Sequence, residues 1–236
     1  MIKVQKLHYE LELALQNIDT DRFSAISVID RDSYFNQAKD LILENLSFIA
    51  EKNISLRNAL RELEVKDEEL TLVKNTDLYS VYSLPSNYFR ILNQDLRAKK
   101  GDFEDKIKIS VVQSDDIQEM LSNQNTQPSF EWREGYYDEA GNNLYVYHNN
   151  AFTPTKFFIS YIKNIPDVAN VTDVPDGIYI NANMERILAD RHLEINSPLI
   201  KSAIVNIAKI LILKDKSRNF QDELTMFLTG QKLLTN

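Results

Sequence analysis

The sequence predicts an α+β protein in which N- and C-terminal helices form one helical bundle and an antiparallel β domain is inserted between them. Three observations predict it. Apolar residues recur at helical spacing up to Leu63 and again after Pro198. The stretch between is rich in aromatic and β-branched residues, several of which alternate. Breaker clusters separate the runs. Two amphipathic helical segments flanking a sheet bury their stripes most simply against each other. The division is then residues 1–76 with 190–236 for the bundle and 77–189 for the β-rich insertion.

Leu7, Leu11, Leu15 and Ile18 share a helical face, although Leu7, Tyr9, Leu11, Leu13 and Leu15 also alternate as a strand would. The intervening Glu, Ala and Gln lose little rotamer freedom in a helix and decide for helix. Asp30-Arg-Asp-Ser33 offers capping side chains ahead of Phe35, Ala38, Ile42, Leu46 and Ile49. Ser55 caps a short helix carrying Leu56, Ala59, Leu60 and Leu63, and the acidic run Glu62, Glu64, Asp67, Glu68, Glu69 reads as solvated surface. At the other end, Ser197 is the N-cap and Pro198 the first helical residue of a stripe Ile200, Ile204, Ile207, Leu211. A second piece carries Phe220, Leu224, Phe227 and Leu228, closed by Gly230.

From Leu78 the β-formers Tyr79, Val81, Tyr82, Phe89, Ile91 and Leu92 surround the break Leu84-Pro-Ser-Asn87. In Lys106–Val112, isoleucine and valine alternate with lysine and serine, as in a half-buried strand. Ser114-Asp115-Asp116 caps a short helix with Ile117, Met120 and Leu121, and Ser122–Ser129 is a polar loop. Phe130–Tyr137 and Leu144–His148 form a hairpin, because Gly141-Asn142 tolerates positive φ. Thr155–Ile162 and Gly177–Ile180 are further strands joined through the turn Asp173-Val-Pro-Asp-Gly177.

Several chemistries lack their residues. The chain has 236 residues, no cysteine and a formal net charge of −8, which disfavours disulfides, thiol chemistry and a dedicated nucleic-acid surface. Five glycines at non-adjacent places make no phosphate loop. His8, His148 and His192 lie in separate segments without metal-ligand spacing. Asp115-Asp116 reads as a helix cap and Asp173/Asp176-Gly177 as a turn rather than as cation ligands. No Gly-x-Ser-x-Gly elbow occurs. No catalytic residue, cofactor site or metal site is assigned, and the expectation is a non-enzyme. No apolar run of about eighteen residues marks a membrane span, and the charged start argues against a secretory leader.

Trp132, Arg133, Tyr136 and Tyr137, with the turn residues Asn142 and Asn143, are the candidate interface, since Trp, Tyr and Arg anchor protein contacts. The same aromatics serve equally to fill a sheet core, and the sequence leaves both readings open.

Several segments together resemble the head-to-tail connector, or ring, proteins of crAss-like bacteriophages. Lys6–Asp19 is similar to the family's opening helix, and Phe35-Asn-Gln-Ala-Lys39 to its second helix. Leu56-Arg-Asn-Ala-Leu60 is similar to a short helix that follows, and Tyr82-Ser-Leu-Pro-Ser-Asn-Tyr-Phe89 to a Tyr-x-Leu-Pro-Ser-Asp-Tyr signature. Ser114-Asp-Asp-Ile117 with Pro128-Ser129, then Tyr161-Ile-Lys163 and Pro166, follow in the same order. Asn87 stands where the family has an acid, and Ile195-Asn-Ser-Pro198 where it has Cys-Glu-Leu-Pro. The resemblance implies a virion protein assembled in the host cytoplasm. It would form a homo-oligomeric ring of about twelve copies that contacts the portal and other ring or tail proteins, while double-stranded DNA passes through its lumen without specific binding and no membrane is involved. The alternatives are a non-virion interaction module and a carboxylate-based hydrolase.

Overall fold

The computed structural model describes residues 1–16, 26–45, 54–181 and 184–216. The elements run α1 (Val4–Gln16), α2 (Val28–Glu44), α3 (Ile54–Leu60), β1 (Glu64–Glu69), β2 (Thr71–Asn75), β3 (Tyr79–Ser83), β4 (Tyr88–Lys100), β5 (Phe103–Val111), α4 (Ile117–Ser122), β6 (Glu134–Ala140), β7 (Asn143–Tyr147), β8 (Thr153–Lys163), β9 (Tyr179–Ile180), β10 (Arg186–Ile187) and α5 (Pro198–Lys216). They divide into two compact units, Met1–Glu62 with Ile165–Asn236, and Leu63–Asn164.

In the first unit, Val4, Leu7, Leu11 and Leu15 of α1 are buried while Tyr9 and Leu13 face solvent, so the ambiguous pattern resolves to the helical period. α2 starts before Asp30. Its N-cap is Ser27, whose hydroxyl accepts from the Asp30 N–H at 3.1 Å and donates to the Asp30 carboxylate at 2.7 Å. The Asp30–Ser33 cluster consequently lies inside the helix, because Ser27 has already satisfied the orphan amide. Phe35, Ala38 and Ile42 are buried, and both α1 and α2 pack on α5. Along α5, Ile200, Ala203, Ile204, Ile207, Ala208, Leu211 and Ile212 are buried. Ile18, Leu46, Ile49, Phe220, Leu224, Phe227, Leu228 and Gly230 lie outside the described residues.

A polar seam joins α2 to the segment after Ile165. The Asn36 amide donates to Val168 O at 3.1 Å and accepts from Val168 N–H at 2.8 Å, imitating a strand partner. The buried Lys39 ammonium donates to Ile165 O at 2.9 Å and to Asp167 at 2.5 Å. Asp32, fully buried, holds His8 Nε2 at 2.7 Å and the Asn170 N–H at 2.8 Å. Each buried polar group here has a partner, as burial away from water demands.

The second unit overturns the expected fold class. The chain is not a helical bundle carrying an inserted antiparallel domain. Its dominant element is an eight-stranded mixed sheet in the order β1-β8-β4-β5-β6-β7-β3-β2. β5 and β6 pair in parallel, from Lys108↔Glu134 to Val111↔Tyr137, while the other neighbours are antiparallel. β1 and β2 stand at opposite ends of this order, yet Leu70 alone separates them in sequence. The sheet therefore curls until one kinked strand serves both edges. Glu64–Glu69 pairs β8, and Thr71–Asn75 pairs β3. The Leu70 N–H donates to Phe157 O at 2.8 Å at the kink. Curling gives the sheet an enclosed core: Leu96, Ala98, Ile107, Ile109, Leu144, Val146, Phe157, Ile159 and Tyr161 point inward at alternate positions. Tyr82 and Phe157 meet edge to face with centroids 5.2 Å apart.

Candidate subunit interface

One end of the curled sheet is built by the β4–β5 turn and the chain leading into β6. Gly101, with φ +62°, lets the turn pass from Lys100 to its partner Phe103. Ser129 and Glu134 exchange backbone hydrogen bonds of 2.9 Å, and Arg133 N–H donates to Phe130 O at 3.1 Å, so residues 129–134 form a closed loop. Arg133 sits there at φ +57°, a position that costs a non-glycine residue about 1–2 kcal/mol.

The closed loop turns Trp132 outward. Its side chain is 80% exposed, and Phe103 is 76% exposed. The Lys100 ammonium, on the register partner of Phe103, reaches Glu131 at 2.5 Å, beside Trp132, so both aromatics occupy the same end. Lys100 also holds Glu131 below the ordinary carboxylate range. Arg133 pairs with Asp105 at 2.7 Å and Lys99 with Glu104 at 3.8 Å, placing charges around the aromatics. A polar recess of about 590 Å³ adjoins Trp132, lined by Gln124, Asn125, Gln127, Glu131 and Asn149 among others. The loop that supplies them is shaped by its own bonds: Thr126 and Gln127 N–H donate to Asn123 O at 3.0 Å.

No protein-family model matches this chain, and no curated protein does.

The candidate residues read from the sequence separate into three places. Trp132 and Arg133 form the exposed end just described. Tyr136 is half-buried and Tyr137 lies in the sheet core; burial raises both phenols, with Glu134 adding to the effect at Tyr136 and Glu139 at Tyr137. Asn142 and Asn143 lie at the far end of β6, roughly 20 Å away for a seven-residue strand. They are fastened to the Leu84–Asn87 turn: Leu84 N–H donates to Asn142 O at 3.0 Å, and Ser83 pairs with Asn143. Phe103 escaped the sequence reading. Its signal was a lone apolar residue after the turn glycine, in a stretch that apart from that glycine is otherwise charged from Lys99 to Lys106.

Two other constellations have structural explanations. Ser80 and His148 are buried, with Oγ and Nε2 3.1 Å apart. The Ser80 hydroxyl donates to Asn75 Oδ1 at 2.7 Å, so Nε2–H donates to Ser80 and cannot accept its proton. Asp116 occupies the N-cap position of α4 as anticipated, but its side chain makes no capping bond; backbone Asp116 O accepts from Met120 N–H at 3.0 Å.

Proposed function

We propose that this chain is a ring-forming head-to-tail connector subunit of a tailed-phage virion, placed below the portal, joining capsid to tail around the DNA ejection channel. The structural observation that carries the reading is the solvent-facing pair Trp132 and Phe103 at one end of the curled sheet. Exposed aromatics ringed by ion pairs have the composition of an interface centre with its polar rim. The ordered sequence resemblance from Lys6 to Pro166 supplies the class of assembly. Ring closure needs a heterologous contact repeated by rotation, and an aromatic knob beside a polar recess offers one half of such a contact. A net charge of −8 suits a lumen through which phosphates slide without adhering.

The test is light scattering and negative-stain imaging of the purified chain, alone and with the phage portal. Rings of about twelve copies are expected, and Trp132→Ala with Phe103→Ser should leave folded protein that no longer closes them. A wild-type chain that stays monomeric and ignores the portal refutes the proposal.

A further inference from the structure

β4 and β5 pair from Lys100↔Phe103 to Leu96↔Ile107 and no further. The cause lies on β4. Against β8 its register slips between Tyr88 and Arg90 and again between Ile91 and Asn93, so Phe89 and Leu92 are extra residues that bend the strand away. β5 nevertheless continues to Val111, held from its other side by β6. Lys108 N–H donates to Arg133 O at 2.8 Å and Val112 N–H to Tyr137 O at 2.9 Å. Peptide groups alternate in direction along a strand, so those of Ile109 and Val111 face the space that β4 has left. Gln94 Nε2 donates to the Ile109 carbonyl at 3.1 Å, a side chain standing where a neighbouring strand would place an N–H. Among the described residues, no backbone acceptor meets the Ile109 and Val111 N–H groups.

The opening is a notch of about 490 Å³, lined by Leu92, Gln94, Lys106, Lys108, Ile109 and Arg133 among others, and no carboxylate lines it. Asp95 holds Lys106 at 2.5 Å and Asp105 holds Arg133 at 2.7 Å, whereas Lys108 has no ion-pair partner among the described residues. Leu92 in that lining stays 48% exposed, and Val111, two residues beyond Ile109 on β5, is 68% exposed. The notch thus presents unpaired strand amides, apolar flanks and an uncompensated cation.

We propose that this notch accepts an extended segment of a partner protein, alternating apolar with acidic side chains, as an added strand along β5. The assignment goes beyond ring assembly and stands without it. Backbone hydrogen bonds to Ile109 and Val111 supply the docking, and Lys108 selects acidic side chains.

The probe is a blocked hexapeptide of alternating valine and glutamate, with a valine–lysine peptide as its charge control, added to the full chain and read by amide hydrogen exchange and titration. Exchange at Ile109 and Val111 should slow on binding, and the glutamate peptide should bind at least about tenfold tighter than the lysine one. Val111→Pro removes an N–H that faces the notch while Val112 keeps its bond to β6, so binding should be lost with the melting temperature nearly unchanged. Lys108→Glu, at the surface, should reverse the charge preference. If Val111→Pro unfolds the sheet, exchange in the wild type and the Lys108→Glu titration still decide. No protection at millimolar peptide, or equal binding of both peptides, overturns the proposal. Self-association lost in Val111→Pro, without peptide binding, also overturns it, giving the notch to a second copy.

Discussion

Replacing Asp32 with alanine strips one acceptor from the middle of the helical unit. The carboxylate is fully buried on α2, with His8 Nε2 at 2.7 Å on one oxygen and the Asn170 N–H at 2.8 Å on the other. The Tyr179 phenol lies within its electrostatic reach; burial first, and the Asp32 charge next, push that phenol above its usual range. Alanine leaves two donors in a dry site. Each unsatisfied group costs about 1–3 kcal/mol, so the sum is bounded by about 6 kcal/mol. Water entering the vacated space recovers part, and a net loss of about 4 kcal/mol is expected. Set against the roughly 5–15 kcal/mol that holds a domain folded, this is a large fraction. Urea unfolding followed by the helical band of circular dichroism measures it, because α1, α2 and α5 all belong to this unit. Asp32→Asn keeps one oxygen and should lose about half as much. A loss for Asp32→Ala under about 1 kcal/mol would show that the seam is solvated and that the reasoning is wrong.

Other outcomes are specific as well. Phe157→Ala, at a fully buried position facing Tyr82, should cost about 3–5 kcal/mol in denaturant unfolding, and a cost near 1 kcal/mol would mean that the sheet core collapses around the void. Gly141→Ala meets no atom within 4 Å but forces φ +61° on an alanine, so thermal unfolding should report a loss of about 1 kcal/mol from backbone strain alone. Burial holds His148 below its ordinary value of 6.5, against a weaker opposing pull from Asp77. In the window below about 6.5 the unfolded chain takes up a proton that the folded chain refuses, so stability falls with pH there, and His148→Phe should flatten that slope. Trp132→Ala, by contrast, should move monomer stability by no more than about 0.5 kcal/mol because the ring is already in water.

Local chemistry was legible wherever it acted over a few residues. Gly141-Asn142 produced the two-residue turn between β6 and β7, with positive φ at the glycine and not at Asn142, the pattern that matches strand twist. Ile107 and Ile109 faced the core as their alternation with lysine implied, while Val111 ran past it and is exposed. The fold class was not legible, since it depends on distant pairings. Glu64-Val-Lys-Asp-Glu-Glu69 has the composition of a solvated surface and becomes β1 because it meets β8, as in Glu64↔Ile162; what a strand gains from its neighbours outweighs its own propensity. The parallel pairing of β5 with β6 was hidden by the helix and loop between them. Of the interface residues, Trp132 and Tyr137 differ in fate because one sits in the loop before β6 and the other points inward from the strand. Composition cannot make that distinction.

The single kinked strand through Leu70 also dictates when the sheet can finish folding. The β2–β3 pairing closes a short loop, from Asn75↔Ser80 to Thr71↔Ser83, and can form on the microsecond scale of hairpins. Its continuation in β1 must wait for Phe158 to Ile162, nearly a hundred residues later in the chain, so during synthesis one half of this strand has its partner long before the other half does. Nucleation at β2–β3 therefore leaves β1 an open edge until β8 emerges, and sealing the seam is a late, high-contact-order event. Once sealed, neither end of the strand order can peel without breaking the same stretch of backbone, which places the slow step of unfolding at Leu70.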